Sequence, residues 1–357
     1  FMEAVKKDED YILRFPCKFE GTNFKKDFSK FEYNKLYTLE GIGEIKHYIK
    51  KVKAKELYDS IVENAWENAE PGQLFWDRVL DYSPDGIYEQ FKAICTNPCG
   101  EIPMQPYDAC RLLALNFFSF VNNPFTDKAE VDYKLLYEIA YEQQRIADDI
   151  VDLELEHINR ILNKLVNDPE PYAVKRTEIE LWTKVAEVAK SGRRTGCGFT
   201  ALGDMLAALG LKYDSKEGKE VIAKVMKTKF TGELDCTIDL GILRGTFEGW
   251  DKDKEFDLIE SNELVGNNSF YNFIAEEFSE HADKMYKYGR RNISWSTVAP
   301  TGTVSLMTQT TSGIEPLFSP YYFRKKKINP NDKEARVDFT DDLGDKWQEY
   351  PVMHPKF

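Results

Sequence analysis

Apolar residues recur at three- and four-residue steps in several stretches of this chain. Ile49, Val52, Leu57, Ile61, Val62 and Trp66 predict a helix over about 46–69, stopped by Glu70-Pro71-Gly72. The longest periodic stretch covers about 131–166, with room for one break. Further helices are expected over roughly 176–191 and 216–228, with at least one more inside 256–285. The first fifty residues read as strand and loop around Gly41 and Gly43. Two apolar runs, LLALNFFSFV (112–121) and NISWSTVA (292–299), predict strands, the first of them buried. RRTGCGFTALGDMLAALGL reads as a glycine-punctuated turn entering an apolar helix that ends at Gly210. Helices separating short apolar runs predict one α/β domain without internal repeats, followed by a polar tail over 325–357.

Composition narrows the function. No stretch approaches the roughly 18 apolar residues a membrane span needs, and FMEAVKKDED is too charged for a secretory signal, so a soluble cytoplasmic protein is expected. Sixty-one acidic against 48 basic residues give a net charge of -13, which would repel a nucleic-acid polymer. A small phosphorylated ligand is still possible, because a nest of backbone N–H groups can hold it. Cysteines at 17, 95, 99, 110, 197 and 236 are expected to be reduced. No metal-like spacing joins them to the four scattered histidines, so no metal site is predicted.

The segment Asn97-Pro98-Cys99-Gly100-Glu101 sets an amide, a thiol and a carboxylate on alternate positions. In an extended loop all three would face one ligand, and Pro98, Pro103 and Pro106 would stiffen that loop. Taken singly, Cys99 reads equally as a small buried residue, Glu101 as a surface acid and Asn97 as turn chemistry. Cys110, eleven residues on, reads as half of a redox pair or as core packing. Pro300-Thr301-Gly302-Thr303-Val304-Ser305 follows a predicted strand and offers hydroxyls and backbone N–H groups suited to phosphate, although ordinary turns look similar. GCGFTALG lacks the spacing of a nucleotide loop, and packing of a helix N-terminus accounts for it better.

Together, TNPCGEI, DACRLLALNF at its interval of eleven, APTGTVS and SGIEPLF resemble the large subunit of ribonucleotide reductase in order and spacing over essentially the whole chain. FMEAVKKDEDYILRFP, EPGQLFWDRV and RRTGCGFTALGDMLAALGL support the resemblance. The NPCGE form is most similar to the class II enzymes, which use adenosylcobalamin. The resemblance implies a ten-stranded α/β barrel, built of two parallel five-stranded halves, over 1–325. A finger loop at about 95–110 would carry Cys99 at its tip, with 326–357 as a peripheral extension. It implies that Cys99 carries the thiyl radical that removes the ribose 3′ hydrogen. Glu101 would take the 3′-hydroxyl proton as the 2′-hydroxyl leaves as water, and Asn97 would orient the substrate. Cys110 would supply reducing equivalents, renewed by a thioredoxin-like dithiol. Pro300, Thr301, Gly302, Thr303, Val304 and Ser305 fall where the family binds substrate phosphates. Homo- or hetero-oligomers are expected.

The departures set further expectations. The family's second reducing cysteine lies upstream of the finger loop, and Cys17, in RFPCKFEG, does not match its surroundings. The effector-reading loops and the C-terminal cysteine pair have no counterpart. A split or processed reductase, working with an N-terminal companion chain, is therefore expected. One alternative is a class I large subunit served by a separate radical-generating subunit. Tyr321-Tyr322 could suggest its tyrosine relay, but they sit in PLFSPYYFR and read as barrel structure. The other alternative, a non-catalytic nucleotide-binding paralogue, has no need of Asn97, Cys99, Glu101 and Cys110 together.

Overall fold

The computed structural model describes residues 1–17, 32–36, 45–259, 263–332 and 334–357, with backbone alone at 15–17, 32–36 and 45–48. The side chain of Cys17 and the turn expected around Gly41 and Gly43 lie outside the described residues. The chain divides into two units, Phe1–Phe75 and Trp76–Phe357.

In the first unit α1 (Met2–Lys7) precedes β1 (Asp10–Cys17), β2 (Glu32–Leu36), β3 (Ile45–Lys53) and α2 (Ala54–Asn68). The sheet is antiparallel in the order β1-β3-β2, with Asp10 opposite Lys53 and Glu32 opposite Ile49. Asp10 takes Lys51 at 2.7 Å and Lys53 at 2.9 Å. The helix expected over 46–69 thus begins only at Ala54. Residues 46–53 are the central strand, where neighbours on both sides satisfy the backbone, and this outweighs a three- and four-residue apolar spacing that fits either structure.

The second unit opens with α3 (Trp76–Asp81) and a short hairpin, β4 (Cys95–Thr96) with β5 (Pro103–Met104). Then come β6 (Leu112–Asn116), the antiparallel pair β7 (Val121–Asn122) and β8 (Glu130–Val131), and the helices α4 (Tyr133–Asn167) and α5 (Tyr172–Gly192). β9 (Gly196–Thr200) leads to α6 (Leu202–Ala208) and α7 (Lys216–Arg244). After α8 (Lys252–Glu255), β10 (Phe256–Leu258) pairs with β11 (Leu264–Gly266), and α9 (Ser269–Glu277), α10 (Ser279–Tyr288) and α11 (Gly302–Thr308) follow. The chain closes in an antiparallel sheet of β12 (Tyr321–Lys327), β13 (Phe339–Thr340) and β14 (Lys346–Met353), ordered β12-β14-β13. No helix among the described residues is long and apolar enough to cross a membrane.

β6 and β9 run parallel, Leu112 opposite Gly196 and Asn116 opposite Thr200, and a parallel bridge joins Cys197 to Ser296. Among the described residues these three segments form a short parallel ladder, and they do not form a closed sheet. The strand expected over 292–299 is reduced to that bridge, and the glycine turn expected at GCGFT is the wholly buried β9. α4 runs unbroken. Asp132 caps it by accepting from Leu135 N–H at 2.9 Å, and it stops at Asp168, which the following Pro169 keeps extended. Leu136, Ala140, Gln143, Ala147 and Val151 line its buried face. α7 extends well past the expected 228, because Cys236, Ile238, Leu240 and Gly241 keep it in the core. It passes α4 closely at Gly232, where a Cβ would lie 2.6 Å from the Tyr137 carbonyl oxygen.

Two apolar clusters flank the ladder. Phe117, Leu136, Phe199, Leu202 and Met205 form one, with Phe117 and Phe199 stacked at 4.5 Å. Leu234, Ile238, Tyr271, Ile274, Met285 and Trp295 form the other. Buried ions tie the helices to the ladder. Lys229 pairs with Glu233 and donates to the Cys197 carbonyl at 2.9 Å and to Ser296 Oγ at 3.3 Å, bracing two parallel segments from α7. Asp148 of α4 accepts from Arg193 at 2.7 Å and from Asn292 at 3.0 Å.

Candidate active site

The β4–β5 hairpin pairs Cys95 with Met104 and Thr96 with Pro103, leaving Asn97 to Ile102 as its turn. Asn97 N–H donates to the Ile102 carbonyl at 3.1 Å, and Asn97 Oδ1 accepts from Ile102 N–H at 3.0 Å. Gly100 sits at φ 85°, a conformation glycine adopts readily, and donates to the Asn97 carbonyl at 3.0 Å. The segment is therefore a turn and not the extended loop its alternation suggested. Asn97 spends its oxygen closing the turn and has its NH₂ to offer. Cys99 is exposed at the tip. Glu101 folds back, with Oε2 buried and without a hydrogen-bond partner.

Glu101 lines a cavity of about 340 Å³. Gly100, Ile102 and Pro103 of the hairpin, Arg194 and Thr195 ahead of β9, and Ser294 to Thr297 form part of its wall. Phe230, Phe270 and Trp295 make an apolar side, with the Trp295 ring 5.8 Å from Phe230 and 5.9 Å from Phe270. Thr297 Oγ1 donates to the Glu101 carbonyl at 3.3 Å, pinning the hairpin to the third parallel segment.

Cys110 is partly buried, against Gly196. Burial, then the neighbouring Glu101 carboxylate, push its thiol up to about 11. Around it lie charged residues that the sequence reading missed. Arg194 donates to Asp108 at 2.7 Å, to Asp85 at 2.6 Å and to Ser294 Oγ at 2.9 Å. Arg111 donates to the carbonyls of Ala109 and Arg194, both at 3.1 Å, and pairs with Glu154. The available signal was charge out of place: Asp108 and Arg111 flank a cysteine entering an apolar run, and Arg193-Arg194 precede a glycine-rich apolar one.

The phosphate candidates lie elsewhere. Thr301 takes φ 52°, and its Oγ1 accepts from Gly313 N–H at 2.7 Å. Ser305 Oγ donates to the Gly302 carbonyl at 2.8 Å. The expected loop is thus the start of the short helix α11, with two of its hydroxyls committed internally. Pro300, Gly302 and Thr303 are exposed, and Val304 is half-buried. Thr311 clips this region to the far end of β9 through Ala201 N–H at 2.9 Å and Thr200 Oγ1 at 2.7 Å. None of Pro300 to Ser305 lines the cavity. The cavity lies at the start of β9, and this loop sits near its far end, three residues past Thr297 of the cavity wall and so within about 11 Å of it.

A profile described as "Ribonucleotide reductase, barrel domain" matches residues 1–346. A vitamin B12-dependent ribonucleoside-diphosphate reductase of Thermoplasma acidophilum is 27% identical over 279 residues, covering 78% of this chain and 29% of that protein. The ribonucleoside-diphosphate reductase large subunit of variola virus is 25% identical, covering 91% of this chain and 38% of its own. Among solved structures, the Actinobacillus ureae class Id ribonucleotide reductase alpha subunit matches with 17% identity and a TM-score of 0.47, over 74% of this chain and 40% of that one. The chain thus spans less than two-fifths of either curated relative. Since the profile covers nearly all of its length, the chain belongs to the ribonucleotide reductase barrel-domain family.

Proposed function

We propose that this chain carries the reaction centre of a ribonucleotide reductase, converting ribonucleotides to 2′-deoxyribonucleotides. The observation that carries this reading is the buried, unpartnered Oε2 of Glu101, two residues from the exposed Cys99 and facing the cavity. Other buried acceptors here also lack a donor, Glu233 Oε2 and Glu255 Oε2 among them, but Glu101 lines the cavity, where a substrate hydroxyl would supply one. In this reading a thiyl on Cys99 removes the 3′ hydrogen, Glu101 takes the 3′-hydroxyl proton, and the 2′-hydroxyl departs as water. Asn97 directs its NH₂ at the substrate. Cys110 gives up its hydrogen and ends in a disulfide with a second cysteine, which a thioredoxin-like dithiol reduces. The exposed N–H groups at Gly302 and Thr303 would meet the substrate phosphates, with Pro300, Thr301, Val304 and Ser305 shaping that end.

As radical source we propose adenosylcobalamin, on the strength of the Thermoplasma relative's name. The described residues do not by themselves build a site for its corrin. The cavity is at the small end of ligand pockets, and none of the described histidines lines it. The viral relative, covering more of this chain, supports a second reading in which a separate subunit generates the radical. We also propose an N-terminal companion chain, since the described parallel ladder is open, and a peripheral role for residues 326–357.

A reduction assay with ribonucleotide, dithiothreitol and the companion chain, with and without adenosylcobalamin, tests these readings. Product that depends on cobalamin supports the first. Product only with a radical-generating subunit replaces it with the second. No product under either condition overturns both.

A further inference from the structure

A chain of ion pairs, Asp85–Arg194–Asp108–Arg111–Glu154, links the segment after α3, the start of β9, the loop leaving the hairpin, the start of β6 and α4. The side chains of Asp85, Asp108 and Arg194 are 1% exposed or less, and that of Arg111 is 4%. Removing such charges from water costs several kcal/mol per ion, and buried pairs on average stabilise no better than apolar residues in their place. Stability alone therefore does not account for the arrangement. What it grips is the four-residue segment centred on Cys110. Arg194 holds Asp108 on one side, and Arg111 donates to the Ala109 carbonyl on the other. The sulfur they leave in place rests on Gly196, where an added Cβ would lie 2.8 Å from Sγ.

We propose that Arg194 and Asp108 are positioning residues for Cys110, which together with the bare backbone of Gly196 keep its sulfur shielded against the start of β9. Its consequence for turnover rests on Cys110 being the reducing thiol; the shielding itself does not. The charged and titratable groups near the sulfur are Glu101 from the hairpin, Asp108 and Arg111 from its own segment, and Arg194 and Cys197 at β9. Burial, then Glu101 and more weakly Asp108, raise the thiol to about 11 from its usual value near 9, while Arg111 and Arg194 oppose them. At pH 8 its thiolate fraction is then about a hundredth of that of an ordinary thiol, which slows attack on passing electrophiles. The bridge thus controls two things at once, where the sulfur sits and how reactive it is.

The test is peptide-resolved alkylation with iodoacetamide at pH 8 on the folded chain. The fully buried Cys197 serves as internal standard and circular dichroism monitors the fold. Asp108→Asn removes the acid that Arg194 holds, and Gly196→Ala places a methyl against the sulfur. Both are expected to speed Cys110 alkylation by about tenfold or more, the equivalent of one unit in the thiol's pKa, with Cys197 still protected. Arg194→Lys, which keeps the charge, should fall between them and the parent chain. Unchanged Cys110 rates in both variants would overturn the proposal. So would Cys197 becoming exposed in step with Cys110, because the network would then merely hold the ladder shut. If Asp108→Asn does not fold, Gly196→Ala decides. None of these rates needs turnover, so a failed reduction assay would sink the functional reading and leave this one standing.

Discussion

Replacing Glu101 by Gln removes a charge and keeps the shape, and the structure predicts opposite outcomes for stability and for chemistry. Oε2 of Glu101 is buried without a partner. An unpaired buried polar atom costs about 1–3 kcal/mol, a cost the folded chain already carries. The amide has the same number of heavy atoms, so no cavity opens. Thr297 reaches Glu101 through its backbone carbonyl, which the variant retains. Stability should therefore change by less than about 1 kcal/mol, a Tm shift of under about 4 °C for a unit of this size. On the proposed function, in which Glu101 takes the 3′-hydroxyl proton, the chemistry should suffer far more. A positioned carboxylate that takes a proton contributes about 10²- to 10⁴-fold, and an amide cannot do so. Product formation should fall at least about a hundredfold, roughly 2.7 kcal/mol in the barrier. Thermal melts and a reduction assay on the same preparation measure both. A rate within threefold of the parent would remove Glu101 from the mechanism. A large loss of Tm would recast it as a structural residue.

On the proposed function, Cys99→Ser should abolish product with nucleotide affinity nearly unchanged, because it replaces the atom proposed to bear the radical; equilibrium binding beside the assay checks it, and sustained turnover would refute the role. Asp148→Ala should cost about 3–5 kcal/mol, or about 5–10 °C in Tm, because it strips a buried partner from Arg193 and Asn292. A melt unchanged within 2 °C would contradict that. Asp235 supplies a pH test. Burial alone would raise its carboxyl, but the His281 ring, 3.2 Å away, and a hydrogen bond from Tyr137 at 2.9 Å outweigh it and hold the group at about 2. Its folded value is below its ordinary one near 3.8, so its contribution is present above pH 4 and lost as pH falls towards 2. Denaturation at a series of pH values should show Asp235→Asn flattening that acid limb by about 1–2 kcal/mol, and an unaltered limb would exclude Asp235 as its source.

Apolar spacing located α4 and α5 to within a few residues, because a buried stripe along a long helix repeats often enough to be unmistakable. It misplaced residues 46–53, where the spacing suits helix or strand and only pairing with β1 and β2 decides. It likewise read β9 as a turn, since Gly196 and Gly198 signal flexibility in sequence but close packing in the fold. The hairpin's chemistry was legible from residue types, while its geometry was not. Asn97, Cys99 and Glu101 diverge because Asn97 turns inward to bond Ile102, a choice invisible without the register of β4 against β5. The partners within the ion-pair chain behind Cys110 could not be read, although charges beside apolar runs hinted at it. Its members lie up to 109 positions apart, and each charge taken alone looks like a surface residue.

The two thiols proposed for the reaction stand in opposite settings, and their separation within one short segment is what allows it. Cys99 lies at a turn tip, beside a glycine whose positive φ keeps the tip narrow and whose Cβ position has no neighbour within 4 Å. Such a sulfur is open to solvent, next to Gly100 and Glu101 of the cavity wall, where the proposed radical chemistry needs it accessible. Cys110 lies past the second strand of the hairpin, where Asp108 and Arg111 are already tied into the ladder. A reducing thiol gains from the reverse conditions, because it must stay protonated and unreacted between turnovers. Were both sulfurs on the tip, each would be as exposed as the other, and shielding one would close off the cavity to the ligand. Placing one on the turn and one at its root lets backbone register set access, and lets buried charge set reactivity, without either constraint weakening the other.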